Sequence, residues 1–311
     1  MVSAMRSLRA LGIYLVAVFL GGALLAPGLF WLAQSLAGIF PHLAQIPLHR
    51  FVNRALLALA LVGTWPLLRS LGASSWRDVG LVSLRGNGFR IASGFALGFL
   101  SLAVVAGAAL VAGARTFAPH AFHPSFPVKL LAATLTAGMV AALEEILFRG
   151  ALFGSFRRGM PWIGALVVSS MIYAIVHFMQ SAKFPGPVTW HSGLELLPQM
   201  LAGFGDWRAI IPGFFNLTLA GALLAYAYQR TGNLWFSIGL HGGWIFWLKS
   251  YGILTREVLG SNPWFWGTSR LIDGWASLFV LTAALFALRR LPSKDPTPAP
   301  LPEAGVKTPQ I

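Results

Sequence analysis

The chain has 311 residues, of which 56% are apolar and only 10% charged. A soluble domain carries about 25% charged residues, so a soluble globular protein is excluded and a polytopic membrane protein is expected. The 23 Lys and Arg against 9 Asp and Glu give a formal charge of +14, but the basic residues sit beside apolar segments. There they set topology and meet anionic lipids, with no nucleic acid implied. The absence of cysteine rules out disulfides, thiolate metal sites and cysteine nucleophiles.

Apolar runs of about 20 residues mark spanning helices, and eight are expected, at 11–34, 53–72, 90–113, 131–157, 162–179, 209–229, 232–250 and 271–289. The fold class is therefore all-α, a polytopic transmembrane helical bundle. The first segment follows Arg6 and Arg9 as a signal sequence would. Its apolar run outlasts an h-region of about 7–15 residues, so an uncleaved first span is expected. Ser74 to Arg90 is a polar, basic connection, and Arg115 to Pro127 carries His and Pro. Gln180 to Arg208 is a longer loop with several prolines, and Tyr251 to Arg270 carries Trp264 and Trp266. The tail from Pro292 to Ile311, rich in Pro and polar residues, is expected to be disordered. The chain thus divides into helices 1–3 (1–127), four central helices (128–250), a loop and last helix (251–291), and the tail (292–311). Placing the N-terminus inside puts 13 Lys and Arg on the inner side against 9 outside. That bias predicts both termini on the cytoplasmic side.

Of the nine acidic residues only Glu144 and Glu145 fall well inside a predicted span, and of the seven histidines only His177 and His241. A carboxylate at bilayer depth costs on the order of 3 kcal/mol even on lenient scales, so two in succession imply a partner or a task. At about 1.5 Å rise per residue, Glu144, His177 and His241 lie roughly 20, 22 and 14 Å from the inner ends of their segments. Three helices can therefore present them to one cavity. Glu145 and Arg149 stand at the favourable i, i+4 ion-pair spacing, acid first. Glu144 then points about 100° away. We expect Glu144 to be a general base and Glu145–Arg149 its supporting pair, with the reverse assignment as the alternative. Tyr173, one turn before His177, lines the same face, and Asn216 is the remaining polar member at roughly 21 Å. The histidines can orient a water, hold an oxyanion or bind metal. If a metal is used, His177, His241 and Glu144 supply the three ligands of a catalytic zinc. No cofactor is otherwise called for.

These residues resemble the signature of the CPBP intramembrane proteases, the CAAX-protease and bacteriocin-processing family. Glu144-Glu145-Ile146-Leu147-Phe148-Arg149 matches its Glu-Glu-x-x-x-Arg element. Tyr173-Ala174-Ile175-Val176-His177 matches its aromatic-x-x-x-His element, with Tyr where Phe is usual. His241, after Arg230-Thr231-Gly232-Asn233-Leu234-Trp235, is the late histidine. The likeness runs from about Leu130 to Lys249. It departs at Ile245, where the family carries an amide or acid, and Asn216 is the expected compensation. The resemblance implies hydrolysis of a peptide bond in a membrane-bound or lipidated protein or peptide, with Glu144, His177 and His241 catalytic. It also implies a multi-pass protein of a bacterial inner or plasma membrane. The competing readings are a proton-coupled transporter and a non-catalytic escort or immunity protein.

Overall fold

The computed structural model describes residues 2–119, 123–179, 184 and 186–290. The tail expected to be disordered lies outside the described residues. Nine helices of eight residues or more carry the described fold: α1 (Val2–Ser35), α2 (Leu48–Ser70), α3 (Gly88–Val111), α4 (Phe126–Glu145), α5 (Trp162–Val176), α6 (Ser192–Gln199), α7 (Trp207–Thr231), α8 (Trp235–Leu254) and α9 (Ala276–Arg289). A two-stranded antiparallel ribbon joins β1 (Arg115–Phe117) to β2 (Thr255–Glu257), with Thr116 opposite Arg256.

All eight expected segments fold as helices, but not all are equivalent. Five are long and apolar enough to cross a membrane: Arg9–Ser35, Leu48–Ser70, Gly88–Val111, Phe126–Phe156 and Ile210–Thr231. Trp162–Val176 and Ala276–Arg289 are apolar but shorter. At about 1.5 Å per residue, 15 residues of α5 reach only ~22 Å of a hydrocarbon core of ~30 Å. In α8 the histidine, lysine, glycines and tryptophans dilute the apolar character of a helix that is otherwise long enough. Helix α6 lies in the stretch expected to be a loop.

The chain forms two compact units, one from residues 2–72 and 177–206, the other from 73–176 and 207–290. In the first, α1, α2 and α6 share a core of Ala26, Phe51, Val52 and Leu196. The Phe30 ring stands edge-on to Phe51 at 5.8 Å.

The second unit is organised by the contact of α3 with α8. Gly94 and Gly98 on α3 meet the Phe236 and Leu240 carbonyls, and Gly239 and Gly243 on α8 meet those of Ile91 and Phe95. A Cβ at any of the four would collide with backbone. Lipid tails are as apolar as side chains, so such van der Waals fit, not hydrophobicity, holds membrane helices together. The pairing also aims the catalytic candidate. With Gly239 and Gly243 turned to α3, His241 lies about 160° around the helix. It is thereby aimed at α4, where Gly242 passes Ala137 and Ala141 at about van der Waals distance.

Helix α4 does not stop at Glu145. It continues through a π-helical stretch, Ile146–Phe153, and a final α turn, Gly154–Phe156. Wide turns of this kind recur at functional sites. Gly150 in the wide stretch lies against Val79, and an added Cβ would come within 2.9 Å of it. Val79 ends a short 3-10 turn, Trp76–Val79. Asp78 ties that turn together by accepting hydrogen bonds from the Ser74 and Ser75 amides at 2.7 and 2.9 Å and from both hydroxyls. Partial burial raises the Asp78 pKa, but the bonds from Ser75 and Ser74 outweigh it and hold the carboxyl below its usual range.

Candidate active site

Glu144 and Glu145 end α4, Arg149 lies within the wide stretch that follows, Tyr173 stands on α5, and His241 on α8. The second unit brings these five residues together. Glu145 is fully buried and its Oε1 accepts twice: from Arg149 Nη1 at 2.9 Å and from His241 Nδ1 at 2.9 Å. A carboxylate paired with arginine only accepts, so the proton of that second bond sits on Nδ1. The opposite ring nitrogen, Nε2, then faces Glu144 Oε2 at 3.8 Å and the Tyr173 hydroxyl at 3.3 Å. Glu144 is the open member, its side chain 23% exposed against 0% for Glu145 and 5% for His241.

The two adjacent glutamates thus do different things because a step of one residue turns the side chain about 100°. Glu145 points into the protein between a cation and an imidazole. Glu144, partly exposed, faces the other nitrogen of the same imidazole. Arg149 is held as firmly as its partner. It is 2% exposed, donates from Nη2 to the Gly221 carbonyl on α7 at 3.4 Å, and lies 4.7 Å over the Tyr173 ring. Phe148 meets that ring edge-on at 5.0 Å. Gly221 lets α7 approach, since a Cβ there would press on Ser170 and Tyr173 at 3.0–3.2 Å.

The supporting pair Glu145–Arg149 forms as its spacing indicates. What sequence reasoning missed is that Glu145 also holds His241, 96 residues away. It also missed the Gly221 carbonyl and the Phe148 edge. A small residue facing a buried aromatic and an aromatic beside the arginine were the available signals.

His177 is the first residue after α5, half-buried in a turn, and falls to the first compact unit. Asn216 is fully buried on α7, but its side-chain NH2 donates to the Ile272 and Gly274 carbonyls at 2.7 and 2.8 Å. Both amide protons are therefore committed to the 267–274 loop. Asn216 is a latch for that loop, not the donor expected to make up for Ile245. Ile245 itself joins an apolar cluster with Ala141, Phe153 and Leu234. Among the described residues no group of three or more His, Asp and Glu side chains is arranged to hold a metal ion.

A helical membrane bundle with a carboxylate–imidazole–carboxylate line, buried at Glu145 and His241 and partly exposed at Glu144, defines a polytopic membrane protein built around an intramembrane polar centre. Residues 123–247 match the family model described as type II CAAX prenyl endopeptidase Rce1-like. That segment carries the CPBP-type family resemblance first read from three motifs, and it contains all five residues of the centre. No curated protein and no solved structure matches the chain.

Proposed function

We propose that this protein is an intramembrane endopeptidase of the CAAX-protease type, hydrolysing a peptide bond in a prenylated or otherwise membrane-associated protein. The observation that carries the reading is the line from Glu145 through His241 to Glu144, with one carboxylate locked and the other open.

In this reading Glu144 is the general base. It takes a proton from water as the water oxygen adds to the scissile carbonyl, and returns it to the departing amine. A water held by Glu144 lies within reach of His241 Nε2, which fixes its direction of attack. Glu145 keeps the ring oriented through Nδ1, and Arg149 keeps Glu145 in place. His177 enters the reading through its family motif alone, as a second catalytic histidine. Both termini are cytoplasmic, as the charge bias indicates, and the anionic inner leaflet meets the basic connections.

The test is a comparison of new protein termini by mass spectrometry, using membranes or a lipidated-peptide library treated with wild type or Glu144→Ala. Termini made only by wild type are expected and would give the specificity. Identical termini from both, with the variant inserted and folded, would refute the reading in favour of escort or transport.

A further inference from the structure

Acyl transfer through a tetrahedral intermediate needs a hydrogen-bond donor where negative charge develops on the carbonyl oxygen. The donors of the polar centre can be counted. The carboxylate oxygens of Glu144 and Glu145 serve as acceptors. Arg149 gives one Nη1 proton to Glu145 and one Nη2 proton to Gly221, and its buried guanidinium lies over the Tyr173 ring. His241 spends Nδ1–H on Glu145. Ile245, one turn further along α8, contributes only methyl and methylene groups. The hydroxyl that stands at His241 Nε2, the ring nitrogen facing Glu144, is that of Tyr173.

We propose that Tyr173 is a catalytic residue whose hydroxyl donates a hydrogen bond to the oxyanion, an inference that rests on the protease reading above. The residue is 3% exposed. Its ring is clamped between the Arg149 guanidinium at 4.7 Å and the Phe148 edge at 5.0 Å. The hydroxyl is therefore delivered by a rigid group, as preorganised stabilisation requires. In the resting centre it donates to Nε2. As water adds to the carbonyl carbon, the carbonyl π pair moves to oxygen and the water proton goes to Glu144. The Tyr173 O–H turns to that oxygen and keeps its proton. Collapse of the intermediate breaks the C–N bond, and Glu144 protonates the amine.

Tyr173→Phe is the discriminating variant because it preserves the ring, its cation–π contact and its edge contact, and removes only the hydroxyl. Loss of one oxyanion donor lowers kcat by about 10²-fold, with KM nearly unchanged. A phosphinic peptide analogue of the cleaved sequence should lose affinity by the same factor, because its tetrahedral oxygens mimic the intermediate. A kcat within about twofold of wild type would overturn the assignment, as would analogue and substrate affinities falling together with thermal stability. Glu144→Gln, run alongside, separates the levels. An inactive Glu144→Gln beside a fully active Tyr173→Phe sinks this proposal and leaves the protease reading standing. A wild type that cleaves nothing sinks both.

Discussion

Replacing Glu145 with glutamine should damage this protein far more than the same change at Glu144. Glu145 is the only carboxylate hydrogen-bonded to Arg149 among the described residues, and the pair is 0% and 2% exposed. The substitution keeps an acceptor oxygen but removes the negative charge that assists two hydrogen bonds, each worth about 1.5–3 kcal/mol when charged. It also leaves Arg149 as a buried cation without its counter-charge, a situation that costs about 3–5 kcal/mol. These descriptions overlap, so the expected loss is about 3–5 kcal/mol in total. Glu144→Gln, at a partly exposed position, should cost less than about 1 kcal/mol. Equilibrium unfolding in nanodiscs reads the difference, and cleavage of a lipidated peptide reads the function. Both variants should be inactive, but only Glu145→Gln should be unstable. Adding Arg149→Met to Glu145→Gln removes the stranded charge and should recover more than half of the lost stability without activity. A Glu145→Gln protein as stable as wild type would refute the claim that the buried pair supports the centre.

Other consequences follow from the packing. Gly94→Val or Gly239→Val should force α3 and α8 apart and cost about 1–3 kcal/mol in the unfolding assay, whereas Gly107→Ala, in open space on α3, should be neutral or mildly stabilising. Asn216→Ala strands the Ile272 and Gly274 carbonyls and should cost about 1–3 kcal/mol, with the kcat of the folded protein unchanged. A large fall in its kcat would restore Asn216 to the active centre. Asp78 has a depressed pKa when folded, so its contribution is present above the unfolded value and is lost as pH falls through the lower folded one. Unfolding measured from neutral pH to acid should show that loss in wild type, and Asp78→Asn should remove that part of the dependence.

The helical segments were legible because a bilayer demands uninterrupted apolar runs, and the observed ends fall within about five residues of them except at the start of α1, which reaches back to Val2. The i, i+4 spacing likewise announced the Glu145–Arg149 bridge. Partners across the sequence were not legible in this way. The Gly94/Gly98 and Gly239/Gly243 pairs are visible as small residues four apart, but only the fold shows them facing each other. The His241–Glu145 bond depends on that facing, since it turns the ring toward α4. Asn216 was misread because depth along a helix says nothing of which neighbour its side chain meets. The wide turn after Glu145 leaves no periodic signal in so short an apolar stretch.

The most direct test of the central claim is single-turnover cleavage of a lipidated peptide by purified protein in nanodiscs, comparing wild type with Glu144→Gln. The account predicts cleavage by wild type and a fall of about 10³-fold in the variant, with unfolding of the two proteins indistinguishable. Equal rates from wild type and the folded variant would contradict it.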